Sequence, residues 1–422
     1  MPQQQLPLIN FLALKHVGKH FAVWPASTLQ NFKQQFLPVT GRLVMFDRTD
    51  RSHIGVWWWT VDKMMLTSIF LLMVLGAVLV MAASPPVAGR IGLPELHFVW
   101  KQLIFFMPAT AIMLVTSILS ARLIRVLSLL SLILISGLMI ATVLIGPEVK
   151  GATRWLTIAG FRMQPSEFIK PLCAISCAWL LGLWRDHEQF PGWIWASVLS
   201  GFVITLLMLQ PDIGMTSVVL LTFGFQLFLA GLPLLLVFTA IGFTPLAGWL
   251  AYSHFAHVQQ RVDKFLDGGG MQTERSIQSF VEGGWFGVGP GNGTVKQYLP
   301  DAHADFIFSV AAEEYGLMAC LLLIGAYSFV VIRGYAQSLN RPDMFTILAV
   351  SGLTTQFGLQ AAIHMASSVD MIPTKGMTLP LISYGGSSLL ATGLTLGLIL
   401  ALTRKNLYPS PAFAHQPAQE TR

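Results

Sequence analysis

The run Met64-Met-Leu-Thr-Ser-Ile-Phe-Leu-Leu-Met-Val-Leu-Gly-Ala-Val-Leu-Val-Met-Ala-Ala83 carries no charge and only two hydroxyl side chains. A helix needs about 20 such residues to cross the hydrocarbon core of a bilayer. Gln102–Ala121 and Val126–Pro147 meet the same test. Working outward, Ile169–Trp184 is a shorter run with Lys170 near its start, and Trp193–Gln210 follows it. Ile213–Ser253 holds no Asp, Glu, Lys or Arg and is too long for one crossing. Gly231-Leu232-Pro233 divides it, because Gly and Pro break helices. Tyr315–Ile332, Met344–Ser368 and Gly385–Thr403 complete an expected set of ten transmembrane helices.

Composition agrees. The chain has 422 residues, 54% of them hydrophobic and 11% charged, with mean hydropathy +0.63. Soluble domains carry about 25% charge. So few charges cannot clothe a soluble globule of this size, which excludes a soluble enzyme and a disordered chain. The fold expected is an all-α integral membrane protein. Cys173, Cys177 and Cys320 lie in or beside apolar runs, so they imply no disulfide framework.

Three regions are expected: an N-terminal segment, 1–60; a ten-span membrane domain, 61–404; and a tail, 405–422. Trp57-Trp58-Trp59, just before span one, suits an interfacial aromatic belt. Lys and Arg are biased toward the side that holds both termini, which that rule makes cytoplasmic. The bias comes from the N-terminal segment, and without it the opposite loops hold the larger share. That outer excess suits an anionic ligand. The one long connection is a large outer, periplasmic loop between helices 7 and 8, 253–305. Its glycines alternate with Phe280, Val281, Trp285 and Phe286, a pattern expected to fold.

Four clusters hold the polar chemistry, all on that outer side. The first is Lys150-Gly-Ala-Thr-Arg154-Trp-Leu with Gln164-Pro-Ser-Glu167-Phe-Ile-Lys170. Glu167 and Lys170 are three apart at a helix start and can pair, either as a structural cap or facing a cavity. The second is the long loop, with Arg261, Asp263, Asp267 and Glu274. The third is Leu299-Pro-Asp301-Ala-His303-Ala-Asp305-Phe-Ile-Phe. Its His and two Asp suit a metal, or equally the capping of the next helix. The fourth runs from Pro373-Thr-Lys375-Gly through Leu379-Pro to Ser383-Tyr384-Gly-Gly-Ser-Ser388. There Gly and Pro interrupt an apolar stretch and leave backbone groups free to face a cavity.

Taken together and in order, these clusters resemble the SEDS family, the bacterial shape, elongation, division and sporulation proteins. The resemblance covers about residues 60–405. Lys375-Gly376 and Thr378-Leu-Pro look most like the family's division members. The resemblance implies a ten-span inner-membrane protein acting at the division septum. It implies an inverting peptidoglycan glycosyltransferase that polymerises lipid II. It also implies work with a class B penicillin-binding protein and other divisome membrane proteins, nucleic acid not being among its partners. The family's catalytic carboxylate lies in the loop between spans seven and eight, before a Gly-x-Gly-Tyr-Gln-like segment. Here that segment reads Gly269-Gly-Met-Gln272, the approach to it is short, and Asp267 is the candidate base. His364 stands where the family commonly has Asn, and Asp370 where a small or apolar residue is usual.

On this reading Arg154, Lys170, Arg261 and Lys375 are the candidate cations for a departing pyrophosphate. Gln164, Glu167, His303, Ser383 and Tyr384 are the further candidate substrate-binding residues. No metal ligands are assigned. No cofactor is assigned either, a divalent cation being the one left open. A lipid II flippase is the alternative, supported by Glu167, Lys170 and the break at Leu379-Pro380. A divisome scaffold is the third reading. Only a polymerase needs Asp267.

Overall fold

The computed structural model describes residues 52–148, 153–158, 160–187, 189–233, 242, 248–249, 252–254, 256–266, 270–373 and 376–405. Asp267, Lys375, Lys150, most of 234–251, the first 51 residues and 406–422 lie outside them, as do the side chains of Arg261 and Lys264. Two units form, Met1–Gly55 and Val56–Arg422. Of the first, only residues 52–55 are described.

The helices are α1 (His53–Thr60), α2 (Lys63–Arg90), α3 (His97–Ile118), α4 (Ala121–Ile145), α5 (Pro165–Asp186), α6 (Gly192–Leu209) and α7 (Ile213–Leu229). They continue as α8 (Ala256–Leu266), α9 (Gly270–Gly283), α10 (Ile307–Leu339), α11 (Met344–Ser368) and α12 (Gly386–Leu402). A hairpin of β1 (Leu156–Ile158) and β2 (Phe161–Met163) precedes α5, with Leu156 opposite Met163.

Among the described residues, 7 helices are long and apolar enough to cross a membrane, and α7 and α12 are shorter apolar helices. Large apolar side chains such as Met107, Ile133, Leu134 and Leu144 face outward along them. Water does not tolerate so broad an apolar surface, and the chain is a helical membrane protein. The expected break at Gly231 is present: α7 ends there, with Gly231 at φ 87°. Most of span seven, beyond the break, lies outside the described residues.

Two helices differ from the rest. The most apolar window is 78% buried in α5 and 67% in α11, against 28–44% in the other five candidate spans. These two form the centre of the bundle. α5 packs on α4, α6 and α11, and α10 packs on α11, α2 and α9. α12 lies along α3 at close range: a Cβ added to Gly393 would fall 2.5 Å from Ala109 O. Small residues allow such approach, and membrane helices rely on it because apolar burial drives little association in lipid.

The helix expected from Tyr315 begins earlier, at Ile307, and is broken at Gly316 (φ 76°, ψ −175°). The apolar run read from the sequence starts at this break, and polar Glu313 and Glu314 precede it. A break strands backbone groups that lipid cannot satisfy. Residues 284–289 satisfy them. Val288 N donates to Glu313 O (2.9 Å) and Gly289 N to Glu314 O (3.1 Å). Leu317 N donates to Gly284 O (2.9 Å) and Met318 N to Trp285 O (3.2 Å). A Cβ on Gly316 would sit 2.5 Å from Phe286 N, in a backbone region that costs a side chain about 1–3 kcal/mol besides. Gly316→Ala should therefore lose most of its folded yield and melt lower in detergent. Gly325→Ala, where an added Cβ meets nothing within 4 Å, should match the parent. Equal melting of the two variants would contradict this account of the break.

At one end of the bundle Asp62 caps α2, accepting from Met64 N (3.1 Å) and Met65 N (3.2 Å). It also accepts from Arg333 Nε (2.7 Å) and Gln337 Nε2 (2.7 Å) of α10. Burial pushes this carboxyl up, but Arg333, the Met65 amide and Gln337 together hold it below the usual aspartate value. A carboxylate depressed in the fold stabilises above its unfolded pKa and loses that contribution as pH falls through the folded value. Arg333→Met should lower the melting temperature at neutral pH. It should matter little at a pH low enough to protonate Asp62. A pH-independent effect would mean the contact is packing alone.

Candidate functional site

The central ion pair follows from local sequence. Gln164 and Pro165 start α5, which places Glu167 in its first turn, where the helix dipole favours a carboxylate. Lys170, one turn on, donates from Nζ to Glu167 Oε2 (2.8 Å) and to Gln360 Oε1 of α11 (2.8 Å). Glu167 is 4% exposed and Lys170 2%. Charges this deep persist only when paired and hydrogen-bonded. Gln360 Nε2 passes the network on to Thr378 O (3.2 Å). Thr378 Oγ1 meets Ser388 Oγ at 2.6 Å, and Gln164 N donates to Ser387 Oγ (3.0 Å). The first and fourth sequence clusters thus form one seam between α5, α11 and the 376–388 connection. One turn beyond Gln360, buried His364 donates from Nδ1 to Met377 O (2.6 Å). This holds the same connection.

The third and fourth clusters meet as well. The His303 ring stacks on Phe98 with centroids 4.0 Å apart and lies 5.3 Å from Tyr384. Phe98 meets Tyr384 edge-on at 5.1 Å. Tyr384 N donates to His303 O (2.9 Å), and Ser383 Oγ donates to Ala304 O (2.6 Å). His303, Ser383 and Tyr384 therefore bind two irregular segments to each other across α3. Among the described residues, no group of three or more His, Cys, Asp or Glu side chains is arranged to hold a metal.

Arg154 sits apart from that seam, at the corner between α6 and α7. Its Nε donates to Gln210 O (3.3 Å), its Nη2 reaches Pro211 O, and Asp212 Oδ2 lies 3.6 Å away. Asp212 also caps α7 through Met215 N (3.3 Å). In the long loop, the parts described are folded as α8, α9 and a 3₁₀ turn at Val295–Tyr298. Asp263 accepts from Tyr252 OH (2.7 Å). Arg275 and Glu282 both bind Gln278 along α9.

One charged group was missed by the sequence reading. Lys296 is 4% exposed and donates from Nζ to Ala82 O (2.9 Å) and to Glu314. Glu313 accepts from Val295 N (2.7 Å) and Lys296 N (2.9 Å). The adjacent acidic pair before the helix break was the available signal, since two buried carboxylates need donors.

The comparisons place these features among known proteins. Residues 62–408 match the family profile named for FtsW, RodA and SpoVE and described as cell cycle protein. A Caulobacter vibrioides protein, a probable peptidoglycan glycosyltransferase FtsW, is 44% identical over 85% of this chain and 93% of its own. A namesake from Alkalilimnicola ehrlichii is 34% identical over 87% and 94%. One chain of a peptidoglycan synthase complex, solved for its coordination of polymerization and crosslinking, is 27% identical. It matches with TM-score 0.68 over 82% of this chain and 98% of its own. Thermus thermophilus RodA, a rod shape determining protein, is 26% identical and matches with TM-score 0.60 over 82% and 97%.

Proposed function

Because the chain belongs to the FtsW/RodA/SpoVE family of cell cycle proteins, we propose that it is a septal peptidoglycan glycosyltransferase, polymerising lipid II into glycan strands. The observation that carries this reading is the 44% identity that spans nearly all of a relative named for that activity. The full architecture we propose is ten spans, with both termini cytoplasmic and the 253–305 loop in the periplasm. The partner we propose is a class B penicillin-binding protein, in keeping with the synthase complex whose chain this fold matches.

The chemistry we propose is a direct, inverting displacement. The acceptor hydroxyl attacks the anomeric carbon, its proton passes to a carboxylate, and the polyprenyl pyrophosphate departs toward cations. Asp267 is the proposed base. Asp263, its near neighbour, is already engaged by Tyr252. Arg261 and Lys375 are the cations proposed to meet the pyrophosphate. Lys170 and Arg154 have protein partners, and their proposed part is to hold the surrounding segments in place. Gln164 and Glu167 act with Lys170, and His303, Ser383 and Tyr384 act by fixing the 376–388 connection. The test is polymerisation of lipid II by the purified protein with its partner, compared between the parent and Asp267→Asn.

A further inference from the structure

α3 turns into α4 at Leu119-Ser120, and α12 ends against the same corner. Three arginines gather there on backbone carbonyls. Arg404, just past α12, donates from Nη2 to Leu119 O (3.2 Å). Arg341, between α10 and α11, donates from Nη2 to Thr403 O. Arg125 donates from Nε to Ala121 O (3.4 Å), and its guanidinium lies over the Phe345 ring, 5.0 Å from the centroid. Arg122, in the first turn of α4, is exposed next to Ala121.

These cations are under-used by the protein itself. Among the described residues, none of the four lies within ion-pair distance of a carboxylate. Arg404 Nε is buried and has no hydrogen-bond acceptor. Burial pushes the pKa of Arg404 down, and that of Arg341 too, with Asp343 opposing the shift from beyond ion-pair distance. Arginine keeps its charge in proteins, so that burial is a cost an anion offsets. The carboxyl ends of α3 and α12 favour a cation, but each carbonyl takes one donor of the five that a guanidinium carries. Cations that only set the orientation of a membrane protein need no burial. Arg125, Arg341 and Arg404 are all half-buried.

The surface beside the corner is apolar. Val115 and Ile118 near the end of α3, and Leu123 and Leu127 near the start of α4, are exposed. The two helices turn here, at the level where hydrocarbon gives way to headgroups. A guanidinium fork matches a pair of phosphate oxygens. A soluble phosphate would use the charge and leave the apolar surface bare, whereas a phospholipid uses both.

We propose that this corner binds the phosphodiester of an anionic phospholipid. Arg122 and Arg404 meet the phosphate oxygens, Arg125 and Arg341 stand beside it, and the acyl chains run along Val115, Ile118, Leu123 and Leu127.

Native mass spectrometry of the purified, delipidated full chain measures this, with phosphatidylglycerol, phosphatidylethanolamine and glycerol 3-phosphate titrated separately. The parent should bind phosphatidylglycerol about tenfold more tightly than phosphatidylethanolamine, whose ammonium cancels the phosphate charge, and more tightly than glycerol 3-phosphate, which lacks the chains. Arg122→Gln and Arg404→Gln should each weaken phosphatidylglycerol about tenfold, the effect of one charge-assisted hydrogen bond. Arg122 is exposed, so its variant reads the charge without disturbing packing even if Arg404→Gln folds poorly. Arg162→Gln, an exposed cation on the hairpin, should bind like the parent. Parental affinity in Arg122→Gln and in a folded Arg404→Gln would overturn the proposal. An equal loss in Arg162→Gln would overturn it as well, as the mark of unspecific surface charge. Glycerol 3-phosphate binding as tightly as the lipid would make the ligand a free phosphate and overturn the lipid assignment. No turnover enters this readout, so neither result bears on the polymerase reading.

Discussion

Asp267→Asn should reduce lipid II polymerisation by about 10²–10⁴-fold, the usual cost of removing a general base. The substitution keeps the shape of the side chain and removes its basicity, so binding of lipid II and of the partner should persist. Asp267 falls between the end of α8 and the start of α9 in sequence. It is followed by three glycines, which let a backbone come close to a bulky sugar. Four competing carboxylates are engaged elsewhere. Asp263 accepts from Tyr252, Glu282 from Gln278, Glu313 from two backbone amides and Glu314 from Lys296. Glu274→Gln is the control, and it should keep most of the parent rate. An Asp267→Asn protein working at half the parent rate, beside a dead Glu274→Gln, would move the assignment to Glu274.

The second large effect is on stability. Lys170→Met should destabilise the bundle by about 3–5 kcal/mol, because it leaves Glu167 charged, buried and without its partner. Gln360 would lose its donor as well, and with it one tie to the 376–388 connection. Changing Glu167 to Leu alongside Lys170→Met removes the stranded charge, and apolar replacement of a whole buried pair is often neutral. The double variant should therefore melt above Lys170→Met alone, while polymerisation stays low because Gln360 and the connection remain unanchored. Thermal unfolding in one detergent checks the order parent, double, single. A single variant that melts with the parent would show that the pair contributes nothing to the fold.

How much of this was legible in the sequence depends on distance along the chain. Apolar runs report local burial, so Met344–Ser368 matches α11 at both ends. The Glu167–Lys170 pair was legible for the same reason, being three residues apart on one helix. Its third member was not: Gln360 lies 190 residues away, and nothing in its own neighbourhood marks it. The His303–Tyr384 contact joins two motifs that each stood out, yet only the fold shows that they touch. Lys296 reads as an exposed loop lysine until α2 supplies the Ala82 carbonyl and the broken start of α10 supplies Glu314. The break at Gly316 was hidden too, because a lone glycine in an apolar run gives no sign of the backbone that packs against it.

The central claim is that this chain itself joins lipid II into glycan. The most direct measurement is the length of the glycan strands formed when the purified parent, bound to its class B penicillin-binding protein, is given lipid II with crosslinking blocked. The account predicts long strands with the parent, and unreacted lipid II with the same complex carrying Asp267→Asn. Unreacted lipid II with a well-folded parent complex, or equal strands from both, would contradict it.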